Sequence, residues 1–187
     1  FGSDGQGRNI ACGTHDLHIG KKARIQYVSV QNWSRQSAAL HSNTTHIEAG
    51  GQALHLGLHL GGGFARSESV SRLLGAGARS EMLAATVADA DQEFDQRTLQ
   101  DHRSTDTHSD LLYKNALYDQ AKTIFAGLIR VEPHAHHTDA YQKVRNLLHS
   151  DQAEAVSMPG LEILADQVRC SHGATTGEVS TEELFYM

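Results

Sequence analysis

Leucine takes every even position of the segment Leu54-His55-Leu56-Gly57-Leu58-His59-Leu60. A period of two places alternate side chains on opposite faces of an extended chain, so this segment reads as a strand with one buried, leucine face. A helix would scatter the same leucines around its circumference. Three further segments read as strands: Arg24 to Gln31, with Ile25, Tyr27, Val28 and Val30; Thr123 to Val131; and Leu161 to Ala165, where Leu161, Ile163 and Ala165 share a side. The prolines, Pro133 and Pro159, flank these runs, which suits turns. The stretch Ala90 to Asp110 is polar without a clear period and reads as an exposed strand or loop. The chain is mostly β.

Small-residue corners fall at Gly20 to Ala23, Gly50 to Ala53, Gly75 to Ala78 and Pro133 to Ala135. Their alanines step by 30, 25 and 57 residues, a loose period in the high twenties if the longest step spans two units. In a parallel β-helix each coil needs a tight corner that excludes bulky side chains, and each coil bonds only to its neighbours. A β-sandwich with glycine-rich turns accounts for the same spacing, which by itself does not separate the two.

At 187 residues the chain is long enough for one domain with a core, here taken as a single unit over 1–187. Its charge of −6 comes with scattered lysine and arginine, which argues against a nucleic-acid partner. The longest apolar run, Ile124 to Ile129, falls far short of the roughly 20 residues of a membrane-spanning helix. Phe1-Gly-Ser-Asp-Gly has no signal-peptide pattern, and a cytoplasmic location with no membrane partner is expected. The missing initiator methionine suggests a piece of a longer protein. No GxxxxGK[ST], HExxH or GxSxG occurs and no GxGxxG follows a strand, so the common nucleotide-binding, zinc-hydrolase and serine-hydrolase signatures are absent.

Several groups of residues invite a chemical reading. Cys12 and Cys170 lie far apart and neither belongs to a CxxC, so no disulfide framework or structural zinc site is expected. His55 and His59 sit about 13 Å apart along a strand, too far to share an ion, and read as a solvated face. His134 and His136, in an i, i+2 relation beside His137, can converge on a metal if the segment is extended, although the nearby Pro133 suggests an exposed corner. Asp89, Asp91 and Glu93 alternate along what reads as one strand face, as hard-cation ligands or simply as a solvated edge. Asp95, His102 and His108 have no spacing that chemistry demands. Cys170 and His172 project to the same side of an extended segment, roughly 6 to 7 Å apart at Cα, where a thiolate and an imidazole approach one metal and an imidazolium lowers the thiol pKa. A buried structural cysteine is the competing reading.

The tail Pro159-Gly-Leu-Glu-Ile-Leu-Ala-Asp-Gln-Val-Arg-Cys-Ser-His-Gly-Ala-Thr-Thr-Gly177, followed by Glu183-Leu-Phe-Tyr186, resembles the C-terminal core of the SufB/SufD family of iron-sulfur cluster assembly scaffolds, the SufD branch most closely. Val30-Gln-Asn-Trp-Ser34, Phe125-Ala-Gly-Leu-Ile-Arg-Val131, His137-Thr-Asp-Ala-Tyr-Gln142 and Arg145-Asn-Leu-Leu-His-Ser-Asp151 match in family order, from about residue 16 onward. The resemblance implies a right-handed parallel β-helix without the family's flanking helical regions. It implies a non-enzymatic scaffold that pairs with a SufB-like subunit and works with a SufC-like ATPase, whose docking segment begins about where this chain stops. It also implies a transient iron-sulfur cluster or iron at the subunit interface, held by Cys170 and His172 and not stably bound by this chain alone. Ser150 stands where the SufB branch carries a sulfur-accepting cysteine, and Gly173 follows His172 where that branch has glutamate, so a SufB role is not expected. Two other functions compete: a stand-alone β-helix homodimer without cluster chemistry, and a β-helix enzyme acting on polysaccharide through Asp89, Asp91 and Glu93.

Overall fold

The computed structural model describes residues 8–178, which form strands and connecting corners and no helix. The strands are β1 (Ile10–Ile19), β2 (Arg24–Gln31), β3 (Ala38–Ile47), β4 (Gln52–His59), β5 (Phe64–Leu73), β6 (Arg79–Ala88), β7 (Glu93–His102), β8 (His108–Leu117), β9 (Lys122–Val131), β10 (Asp139–Leu148), β11 (Glu154–Ile163) and β12 (Arg169–Glu178). Odd strands form one sheet in the order β1-β3-β5-β7-β9-β11, and even strands the other, β12-β10-β8-β6-β4-β2. Every pairing is parallel and joins a strand to the one two further along the chain, as at Ile10↔Ala38 and Arg24↔Gln52. The chain therefore coils, two strands to a turn, into a parallel β-helix, and the sandwich is excluded.

The corners set the coil. Lys22, Gly50, Gly77, Asp106, His137 and Gln167 follow one another at 27 to 31 residues, and each has φ between 57° and 70°. The backbone N–H of each of the first five donates to a carbonyl of the next coil's corner: to Ala49, Ala76, Thr105, His136 and Gln167, at 2.9–3.2 Å. Only two of the six are glycine, so most of these left-handed corners are held by contacts between coils against a modest backbone cost. Beside them Ala78 and Ala135 are completely buried.

Side chains alternate between the lumen and the outside. The inward row of β7 is Phe94, Gln96, Thr98, Gln100 and His102, all buried, so the polar stretch around it is a central strand and not an exposed one. Burial of the two glutamines is offset by bonds from their amides: Gln96 donates to Thr86 and Asn115, and Gln100 to Ser109. The strand of alternating leucines is present as β4, but its lumen side carries Ala53, His55, Gly57 and His59, and Leu54, Leu56 and Leu58 face outward, half-buried. A narrow lumen takes small or mutually bonded groups, which leaves the bulky row outside. His55 and His59 are correspondingly not solvated; burial pushes the pKa of each down to about 4.

Pro159 lies inside β11 and not at a turn. That strand is last in its sheet among the described residues, where a missing N–H is tolerated. Leu161 and Ile163 belong to this longer strand and are exposed, and Ala165 lies beyond it.

Candidate functional site

The final described coil carries Cys170 and His172 on β12. In register they extend the lumen rows of β10, Cys170 beside Ala140 and His172 beside Gln142. Their i, i+2 relation in a strand places both on one side, as expected from their spacing. Cys170 is half-buried against the apolar cluster of Ile129, Val131, Ala135 and Ala140. His172 is exposed and borders a surface cavity of about 450 Å3 together with Asp110, Tyr141 and Lys143.

The thiol is not activated in this state. Burial raises its pKa first and the Asp139 carboxylate adds to the rise, while a hydrogen bond from the Ala140 backbone offsets part of it. This rise runs opposite to the lowering expected beside an imidazolium. A metal binding here has to displace the thiol proton.

His134 and His136 lie in the corner between β9 and β10, not in an extended segment. His134 is exposed, His137 takes the left-handed conformation, and His136 Nδ1 lies 3.1 Å from the Asp166 carbonyl oxygen. Among the described residues neither joins a group of three metal-capable side chains. Asp89 and Asp91 likewise occupy the β6–β7 corner, with Asp89 paired to Arg35, so with Glu93 they do not line one strand face. His102 is enclosed between Thr107 and Ser109, and Asp95 is held by Arg66 and Arg97. Ser150 donates its hydroxyl to the Asp119 carbonyl in the β10–β11 corner. Cys12 is exposed on β1.

Asp16, His18 and His46 form a group that sequence reasoning missed. Asp16 Oδ1 lies 3.4 Å from His18 Nε2 and 3.2 Å from His46 Nε2, on the outer face of β1 and β3. The two rings stack at 4.5 Å with planes 5° apart. The signal is the coil length: His18 and His46 are 28 residues apart and are register partners. The same step joins His15 to Asn43 and Tyr27 to His55 inside the lumen. Among the described residues no helix is long and apolar enough to cross a membrane.

Comparison with known proteins agrees with this coil and its tail. The model of the SUF system FeS cluster assembly, SufBD core domain, matches residues 2–187. An iron-sulfur cluster assembly SufBD family protein of Mycobacterium tuberculosis is 32% identical over 173 residues, covering 88% of this chain and 44% of the relative. Its counterpart in Mycobacterium leprae is 33% identical over 175 residues with the same coverage. The iron-sulfur cluster assembly protein SufD of Escherichia coli is 28% identical over 187 residues, all of this chain and 44% of its own length. The chain thus spans less than half the length of these relatives.

Proposed function

The chain belongs to the SufBD family of iron-sulfur cluster assembly proteins, and from that premise we propose that it is a SufD-like, non-catalytic scaffold half. Residues 1–187 act as one β-helix unit in the cytoplasm, pairing through the terminal coil with a SufB-like subunit, and nucleotide-driven work comes from a SufC-like ATPase. The cluster is the cargo. The observation that carries this reading is the pairing of Cys170 and His172 on one side of β12, the thiol sheltered in an apolar cluster and the imidazole open to a partner.

The donor set suits iron. A thiolate is a soft ligand and an imidazole a borderline one, and both bind iron in preference to hard cations. Iron binding at Cys170 forms an Fe–S bond as the S–H bond breaks, with the proton released to solvent. Because burial and Asp139 hold the thiol protonated, the site stays inert until iron arrives. Ser150 has no thiol on which sulfur could be carried as a persulfide, so sulfur enters from the partner. Asp89 and Asp91, in a corner, give the polysaccharide reading no grouped carboxylates on a strand face.

The test is anaerobic cluster reconstitution of the protein mixed with a SufB-like partner. Bound iron and visible absorbance are scored for wild type, Cys170→Ser and His172→Ala. Reduced iron in the two variants, with heterodimer formation intact by light scattering, supports the reading. Equal iron in all three assigns the ligands to the partner, and a self-contact that the partner does not displace favours the stand-alone homodimer.

A further inference from the structure

Gln142, on β10, is buried with its amide unpaired. It is 2% exposed, and neither Oε1 nor Nε2 has a hydrogen-bond partner. The other buried glutamines, Gln31, Gln92, Gln96 and Gln100, each bond through the side-chain amide. An amide enclosed without a partner is costly, so its presence calls for a reason other than stability. Its neighbours narrow that reason. Four residues further along the same strands, register partners bond from coil to coil, Asn115 to Asn146 at 2.8 Å and Asn146 to Thr176 at 3.2 Å. Gln142 holds the equivalent middle place in its own row. Its register partner on β8 is Leu111, which is fully buried and has no polar side-chain atom, and its register partner on β12 is His172. Across the lumen Gly127 leaves room for the amide head, since a β-carbon there would meet Gln142 Oε1 at 2.6 Å, and Thr98 Oγ1 nears the same point without bonding to it. Of the two side chains that flank Gln142 along the coil axis, only the His172 imidazole can pair with an amide.

We propose that Gln142 is a positioning residue for His172, accepting a hydrogen bond from the imidazole when that ring holds iron. A histidine bound to a metal through one ring nitrogen carries its proton on the other, and such ligands almost always donate that N–H to a nearby acceptor. The bond fixes the tautomer and the ring orientation and makes the metal-bound nitrogen more basic. Gln142 Oε1 is the acceptor that the row supplies. Register neighbours on adjacent strands lie about 4.8 Å apart, and the bond between Asn115 and Asn146 demonstrates that side chains on such neighbours reach each other in this lumen. Cys170 has no comparable support, because its register partner is Ala140. The inference rests on the reading of His172 as an iron ligand and adds the residue that orients it. A plain packing role for Gln142 is disfavoured by its two unpaired atoms, since an apolar side chain of similar volume would fill the same space without that cost.

The experiment pairs an anaerobic Fe2+ titration of the full-length protein mixed with a SufB-like partner with urea denaturation of the same protein alone and without iron. Wild type, Gln142→Leu, Gln142→Glu and His172→Ala are compared. Gln142→Leu removes both unpaired atoms at similar volume. It should bind Fe2+ about tenfold more weakly than wild type while its urea midpoint stays equal or rises, because no buried bond is lost. That opposition between iron affinity and stability separates a positioning residue from a structural one. Gln142→Glu keeps an oxygen acceptor and should bind Fe2+ within about threefold of wild type or more tightly, even as a buried carboxylate lowers the urea midpoint. The proposal is overturned if Gln142→Leu binds Fe2+ with wild-type affinity, if its urea midpoint falls below that of wild type, or if Gln142→Glu folds and binds as weakly as Gln142→Leu. Undiminished Fe2+ binding in His172→Ala overturns the ligand assignment itself, so the failure of that premise is distinguishable from the failure of this inference.

Discussion

Asn115 donates its side-chain amide to Asn146 Oδ1 at 2.8 Å, one coil further along the lumen. Asn115 Oδ1 in turn accepts from Gln96 at 3.0 Å, and Asn146 donates onward to Ser157 and Thr176 at 3.1 and 3.2 Å. The core of this protein is thus partly a hydrogen-bonded ladder running parallel to the coil axis. Its strength lies in completeness, because a buried amide without a partner costs the full desolvation penalty of that group.

Removing the middle rung tests this directly. Asn115→Val strands polar atoms on both Gln96 and Asn146 and should cost about 2–4 kcal/mol of unfolding free energy. Thr176→Val removes the exposed end of the ladder and should cost less than about 1 kcal/mol. Urea denaturation of the two variants beside wild type measures both, and comparable losses would show that the ladder is not the source of stability.

Gly127 lies at a tight point of the lumen. A β-carbon there would lie 2.6 Å from Gln142 Oε1, 2.6 Å from Phe125 Cζ and 2.7 Å from Thr98 Oγ1. These are buried groups with little room to retreat. Gly127→Ala should therefore destabilise by about 1–3 kcal/mol through overpacking. Gly20→Ala, with nothing within 4 Å of the added carbon, should change stability by less than about 0.5 kcal/mol. A thermal melt of each variant separates them.

The contrast between these glycines shows what could be read before the fold was known. The span of β2, from Arg24 to Gln31, is legible to the residue because Ile25, Tyr27, Val28 and Val30 favour extended backbone, and β9 to within one residue. The polar strand β7 is not, because Gln96, Gln100 and His102 of its buried row bond to residues on other strands, which a local pattern does not contain. The leucines of β4 misdirect for the same reason: hydrophobicity identifies the strand, but lumen width decides which face is inside. The coil period was visible only loosely, since Lys22, Asp106, His137 and Gln167 hold corner positions where glycine would have announced the turn. For the terminal site, the strand and the shared side of Cys170 and His172 were readable. Asp139, which lies next to Ala140, the register partner of Cys170, was not.

Acid should loosen the lumen. Burial holds His55, His59 and His102 at about 4, below the unfolded value near 6.5. Between those limits the unfolded chain binds more protons than the folded one, so stability falls as pH drops from about 6.5 toward 4, by up to about 1.4 kcal/mol per pH unit for each histidine. The contribution is fully present above 6.5. Urea midpoints at pH 7, 6 and 5 should decline accordingly, and His102→Gln, which keeps a polar group between Thr107 and Ser109, should make the decline shallower. A midpoint independent of pH across that range would mean that these rings protonate without cost.

The last relationship concerns Cys170 and the carboxylate of Asp139, which together with burial holds the thiol protonated. Alkylation proceeds through the thiolate, so its rate at Cys170 should be slow at neutral pH and rise as pH is increased. Asp139→Asn removes the second cause of the shift and leaves the first, so labelling at pH 8 should accelerate severalfold without reaching the rate of a fully exposed cysteine. Mass spectrometry of iodoacetamide-treated protein, following the Cys170 and Cys12 peptides separately, provides the measurement and an internal standard. An unchanged rate in Asp139→Asn would mean that burial alone, and not the carboxylate, governs this thiol.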